Sequence, residues 1–146
     1  MIALGSDHGG FQLKEEVKAH LEEQGLEIRD YGIYEEKAID YPDIAETVAR
    51  AVAAGECERA LLFCGTGIGV CISANKVKGI RAAVVSDCYS AKLTREHNDA
   101  NILCMGGRVV GPGLACLIAD AYLQAEFQGG RHAVRVGKIM EIERKG

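Results

Sequence analysis

Arg59-Ala60-Leu61-Leu62-Phe63-Cys64 reads as one continuous apolar strand, and Gly65-Thr66-Gly67-Ile68-Gly69 follows it directly. A run without apolar–polar alternation, closed by glycines, fits a strand buried on both faces that turns into a helix. The same form recurs on either side. Ile2-Ala3-Leu4 leads into Gly5-Ser6-Asp7-His8-Gly9-Gly10, and Ile102-Leu103-Cys104-Met105 leads into Gly106-Gly107-Arg108. Ala82-Ala83-Val84-Val85 reads as another buried strand, and Leu26-Glu27-Ile28 as an edge or half-buried one.

Helical patterns lie between these strands. Phe11, Leu13, Val17 and Leu21 recur at helical spacing until Gly25, which suits a helix C-cap. Further helices are expected over 42–54, with Pro42 in the first turn, and over 68–76, 88–97 and 112–124, the last apolar on most faces. A final amphipathic segment spans 132–143, and 30–43 reads as a loop. Alternating strands and helices give an α/β fold with a parallel sheet covered on both faces. Ligands bind such sheets beyond the carboxyl ends of the strands, near a switch in strand order. Residues 5–10, 64–69, 86–88 and 106–108 therefore come under scrutiny.

The 146 residues suit one domain, with no internal repeat or linker. A net charge of −4 argues against a general nucleic-acid or polybasic membrane surface. No apolar run approaches 18 residues, and Met1-Ile2-Ala3-Leu4-Gly5 lacks a signal-type start. The six cysteines, at 57, 64, 71, 88, 104 and 116, form no C-x-x-C pair. They read as reduced thiols of a cytoplasmic protein, with Cys104 and Cys116 in apolar surroundings.

Four clusters could carry chemistry. Glycines at 65, 67 and 69 let backbone amides approach an anion, although the spacing is neither a dinucleotide fingerprint nor a Walker loop. A plain strand-to-helix turn would also explain them. Cys64 stands out because a helix N-terminus favours the anionic form of a thiol beside it, making a base or nucleophile. Asp7 can accept from hydroxyls and His8 can hold phosphate or move protons; Ser6 or Asp7 could equally cap the next helix. Arg95-Glu96-His97-Asn98-Asp99 sits at a helix end, where a cationic imidazole is favoured and suits a general acid, unless it is only a solvated terminus. Arg131, Arg135 and Lys138 share one helix face that suits a phosphate or carboxylate, or simply water. His8, His97 and His132 are too scattered for a metal hydrolase.

Together, Ser6–Gly10, Asp40-Tyr41-Pro42-Asp43, Cys64–Gly69, Asn75-Lys76, Arg95–Asn101 and Gly129–Arg135 stand in an order that resembles the ribose-5-phosphate isomerase B family. Its broader group includes galactose-6-phosphate isomerase subunits. The resemblance covers nearly the whole chain. It implies a Rossmann-like three-layer sandwich with a five-stranded parallel sheet, and an aldose–ketose isomerase of pentose phosphate metabolism that uses no metal or cofactor. It further implies a dimer or tetramer with active sites between subunits and the segment 130–146 docked on a neighbour. By the same resemblance Cys64 is the base, His97 opens the sugar ring, and Thr66 shuttles a proton between O1 and O2. Asp7, His8, Gly65, Gly67, Ile68, Gly69, Asn98, Arg108, Arg131 and Arg135 contact substrate. One branch of the family has a Glu shortly after the glycine loop; Val70 stands there and points to the cysteine branch. Isomerases of allose 6-phosphate or of free hexoses would share this set. A nucleotide-binding module would have no reason to keep Cys64, Thr66 and His97 together.

Overall fold

The computed structural model describes residues 1–146. Five strands, β1 (Ile2–Ser6), β2 (Ile28–Asp30), β3 (Arg59–Cys64), β4 (Ala82–Val84) and β5 (Ile102–Gly106), form one parallel sheet in the order β2-β1-β3-β5-β4. The helices are α1 (Phe11–Glu23), α2 (Tyr41–Ala53), α3 (Ile68–Ala74), α4 (Cys88–Asn98), α5 (Pro112–Gln124) and α6 (Arg131–Lys145). The three-layer α/β architecture is the expected one. No helix is long and apolar enough to cross a membrane.

The burial of each strand explains its composition. β1 and β5 are buried throughout, and β3 is buried from Ala60 onward. The edge strands β2 and β4 have only three residues each and are partly solvated. One core packs Leu4, Phe63, Leu103 and Met105 under α1, α4 and α5. The other packs Ala3, Leu62, Cys64 and Cys104 under α2 and α3. Successive residues of a strand thus serve opposite cores, as the pleat requires.

Strand order reverses direction between β1 and β3. The loop after β1 leads to α1 in one layer, and the loop after β3 leads to α3 in the other. A crevice opens where the two loops diverge, and it holds residues 6–10 and 64–69. Residues 86–88, by contrast, cap α4: Asp87 accepts from the Ser90 amide at 2.7 Å. Two other expectations change. α5 is less enclosed than its composition suggested, since Leu114 and Leu117 are exposed. Cys116, on the same helix, is only partly buried.

The edge strand β2 is fastened by a charge inside the fold. Lys14 of α1 is fully buried, and its Nζ lies 2.8 Å from both carboxylate oxygens of Asp30. Nζ also donates to the Ile33 carbonyl at 2.5 Å, and Lys18 adds a second cation at 3.2 Å from Asp30. Burial by itself would raise the Asp30 carboxyl; the bonds from Lys14 and the Gly32 amide override it and hold the group below its ordinary value. A depressed carboxyl stabilises the fold above its unfolded-state value of 3.8 and loses that contribution as pH falls through the folded-state value. Asp30→Asn leaves the buried Lys14 ammonium with only the half-exposed Glu15 carboxylate, 3.3 Å away, as counter-charge, so it should cost about 3 kcal/mol at pH 7. Urea titrations should show the gap between variant and parent narrowing below pH 3.8; a gap constant with pH would contradict this account.

Candidate active site

The carboxyl ends of β1, β3 and β5 meet through glycines. A Cβ on Gly10 would stand 2.4 Å from the Phe63 carbonyl carbon and 2.6 Å from the Cys64 nitrogen. One on Gly107 would stand 2.4 Å from the Gly9 oxygen, and one on Gly106 2.6 Å from the Thr66 carbonyl carbon. Hydrogen bonds fix this meshing: the Gly107 amide donates to the Cys64 carbonyl at 2.8 Å and the Arg108 amide to the Gly65 carbonyl at 3.0 Å. The three post-strand loops therefore form one body.

Cys64 closes β3 and is buried, and its Sγ accepts from the Gly67 amide at 3.1 Å. That bond needs the left-handed turn at Gly67, whose φ is +80°. The Ile68 amide donates to Thr66 Oγ1 at 3.2 Å, which leaves the Thr66 hydroxyl proton free to be donated elsewhere. Two of the five loop amides are thereby engaged inside the loop. The amides of Gly65, Thr66 and Gly69 have no acceptor within the chain and are the ones open to an anion. Burial pushes Cys104 well up, and burial with Asp120, Glu16 and Glu23 nearby raises Cys116.

Asp7 belongs to the same body. Its Oδ1 accepts from the Gly9 and Gly10 amides at 2.9 and 3.2 Å. The helix-capping expectation is corrected here, because α1 begins beyond Gly10 with no side-chain cap. Asp7 shapes the turn instead, leaving Oδ2 unbonded. His8 is exposed beside it, in a cleft of about 430 Å³ that Asp40, Tyr41 and Asp43 also line. Tyr41 escaped the sequence reading as a site residue. A Cβ on Gly69 would meet its ring at 2.4 Å, so the ring lies against the glycine loop. The Asp40–Asp43 motif was the available signal. Arg108 is exposed, and its guanidinium lies over Gly65.

His97, Asn98, Arg131 and Arg135 lie elsewhere. α4 returns toward the start of β5, so its last turn sits at the amino end of the sheet. There Arg81, which precedes β4, donates to the Asn98 and Asp99 carbonyls, and the Asn101 carbonyl accepts from Ala60 at the start of β3. At about 3.3 Å per residue, β3 alone separates this end from Cys64 by roughly 16 Å. Asp99 takes a left-handed φ of 50°, held by Arg81 and Arg95, and so closes α4 just after His97 and Asn98. Arg81 and Arg95 are structural partners that the sequence did not single out as a pair. The His97 ring stacks on His132 at 4.1 Å and 6°. Arg131 and Arg135 are exposed on the first turns of α6. The largest cavity, about 530 Å³, also lies at this end, between α4, α6 and β4, and Asn98 and Arg81 line it. The site residues thus form two clusters at opposite ends of one sheet: Asp7, His8, Cys64–Gly69 and Arg108 at the carboxyl end, and His97, Asn98, Arg131 and Arg135 at the amino end. No three His, Cys, Asp or Glu side chains converge as metal ligands would.

Residues 2–139 match the family model described as Ribose/Galactose Isomerase. The chain is 53% identical over 144 residues to ribose-5-phosphate isomerase B of Escherichia coli (strain K12), spanning 99% of this chain and 97% of that relative. It is 46% identical over 140 residues to D-erythrulose-4-phosphate isomerase of Pectobacterium atrosepticum, spanning 94% and 91%. The solved structure of Clostridium thermocellum ribose-5-phosphate isomerase B superposes with a TM-score of 0.97 at 57% identity, covering 99% of this chain and 97% of that one.

The loop around Cys64 yields one test. Gly67→Ala forces a left-handed turn on an L-residue and sets a Cβ 2.7 Å from the Met105 carbonyl carbon. It should lower the unfolding free energy by about 2–3 kcal/mol in urea titrations. A change below about 0.5 kcal/mol would mean that the turn gives way freely.

Proposed function

The chain belongs to the ribose/galactose isomerase family, and on that premise we propose that it interconverts ribose 5-phosphate and ribulose 5-phosphate through a cis-enediolate. The observation that carries this reading is the buried Cys64 thiol, set beside three loop amides that have no acceptor of their own. In the open-chain aldose, the Cys64 thiolate takes the proton from C2. Electron density moves onto the C1 oxygen, where the amides of Gly65, Thr66 and Gly69 stabilise the oxyanion; such a donor contributes about 3 kcal/mol of barrier lowering. Thr66 passes a proton between O1 and O2, and the cysteine returns its proton to C1 to give the ketose. A carbon acid this weak needs a close, oriented and desolvated base, which a buried thiol provides.

The two clusters are complementary in charge. Asp7, Asp40 and Asp43 line the carboxyl-end cleft, where Arg108 is the nearby cation, whereas Arg131 and Arg135 are exposed and form no ion pair in the chain. In a two-fold dimer the carboxyl-end cluster of one protomer faces His97, Asn98, Arg131 and Arg135 of the partner subunit. Each pair of chains then makes two sites. The partner's His97 opens the furanose ring, and its arginines grip the phosphate, whose binding energy orients the reacting carbons. The exposed Ile68 and Ile72 of α3 and Val134, Ile139 and Ile142 of α6 are apolar surface for such an assembly. Segment 130–146 reaches the neighbour in this way, and nucleic acid and membrane have no part in it.

The relative acting on D-erythrulose 4-phosphate favours a second substrate reading, a tetrulose phosphate handled by the same residues. Values of kcat/KM for ribose 5-phosphate, the tetrulose phosphate, allose 6-phosphate and free hexoses should rank ribose 5-phosphate first. In the same panel, Arg135→Ala should raise KM for phosphosugars at least 10-fold, about 1.4 kcal/mol, and leave free sugars unaffected. Equal effects on both classes would remove the phosphate role.

Subunit mixing tests the shared site. Cys64→Ala and His97→Asn should each be nearly inactive on ribose 5-phosphate. Random re-pairing of the two variants should restore about a quarter of the wild-type sites, because half of the dimers are mixed and one of their two sites is intact. A site confined to one chain would gain nothing.

A further inference from the structure

His132 is the second residue of α6, and its ring lies flat on that of His97, with centroids 4.1 Å apart and planes 6° apart. His132 is buried, whereas His97 is only partly so. The stack therefore covers one face of the His97 ring. No group of the chain hydrogen-bonds either His97 nitrogen, so this stacking is the contact that sets the plane of the ring. The backbone is arranged to produce it. The Gln128 amide donates to the Glu96 carbonyl at 3.0 Å and ties the connection before α6 to the last turn of α4. Gly129 and Gly130, at φ values of +67° and +55°, then turn the chain so that α6 starts over His97.

The electrostatics of the two rings differ. His97 lies at the C-terminal end of α4, where a helix favours a cation. His132 lies at the N-terminal end of α6, where a helix opposes one. Burial, the His97 ring, and Arg131 and Arg135 all hold the His132 imidazole below its ordinary value. An uncharged ring can lie against an imidazolium, whereas two imidazolium rings at that distance would repel.

We infer that His132 is a positioning residue, which fixes the plane of the His97 ring for opening the cyclic sugar and ties it to the helix carrying Arg131 and Arg135. The inference rests on the ring-opening reading of His97. The substrate class concerned is the furanose form of an aldose phosphate. Ribulose 5-phosphate forms no such ring, because its O5 carries the phosphate.

That difference separates the two steps. Net conversion of ribose 5-phosphate needs ring opening, whereas exchange of the C1 proton of ribulose 5-phosphate with solvent deuterium needs only enolisation. His132→Ala should slow net conversion by roughly 10- to 100-fold, the scale of a misplaced catalytic group, and leave C1 exchange within about 2-fold of the parent. His132→Phe, which keeps a flat ring, should recover most of the net rate. His97→Asn, run alongside, should show the same split as His132→Ala. If His97→Asn splits the two reactions and His132→Ala does not, the positioning role fails while the reading of His97 stands. Equal slowing of both reactions by His132→Ala, or no rescue by His132→Phe, would also overturn it. If His97→Asn slows both reactions equally, the ring-opening reading falls and takes this inference with it.

Discussion

At the carboxyl end of the sheet, three stretches of backbone approach one another more closely than a single methyl group would permit. Gly10 rests on the peptide joining Phe63 and Cys64, Gly107 on the Gly9 carbonyl, and Gly106 on Thr66. Everything at that end follows from this contact. It leaves room for the Gly67 turn that presents an amide to the Cys64 sulfur. It sets Asp7 beside the glycine loop, and it leaves three loop amides without internal partners. Close backbone approach is a use that only glycine serves.

The other end of the sheet is organised by cations. Arg81 and Arg95 close α4 around Asp99, and the end of α4 in turn receives the start of α6. The edge strand β2 depends on a third cation, Lys14, enclosed with Asp30. Each of these charges lies among groups that pair with it, the condition under which a buried charge is tolerated.

Much of this was legible in the sequence. The apolar runs 2–4, 59–64 and 102–105 each become a central strand because both of their faces are covered, and continuous hydrophobicity is the signature of that environment. The glycine after each run announced the close approach, though not which backbone would be met. Cys64 was legible because of its place between strand and loop, and Asp7 because of its place after β1. What the sequence concealed was distance. A helix joining parallel strands returns to the start of the next one, so the order β4, α4, β5 does place His97 at the end opposite Cys64, but it gives neither the breadth of sheet between them nor a partner chain that could bring them together. Side-chain partners were equally hidden. The Asp7 oxygen that could have capped a helix bonds the preceding turn, Tyr41 lies on Gly69 from an element 28 positions away, and Cys116 sits at the edge of a core with acidic groups nearby.

The meshed glycines have a thermal consequence. A loop attached to its scaffold only at its ends can melt on its own, and many enzymes lose activity on heating before they unfold. Here the loop holding Cys64 is interlocked with β1 and β5, the fully buried strands on either side of β3. It cannot open without parting the sheet, so it belongs to the most slowly exchanging unit of the fold. The far end of α6 is held less firmly: its last residues are mostly exposed, and the Gly79 amide, donating to the Glu143 carboxylate at 3.1 Å, ties it to the loop before β4. Heat inactivation that begins below the melting of the sheet would therefore originate at the amino end, among His97 and its neighbours, with the cysteine loop still intact.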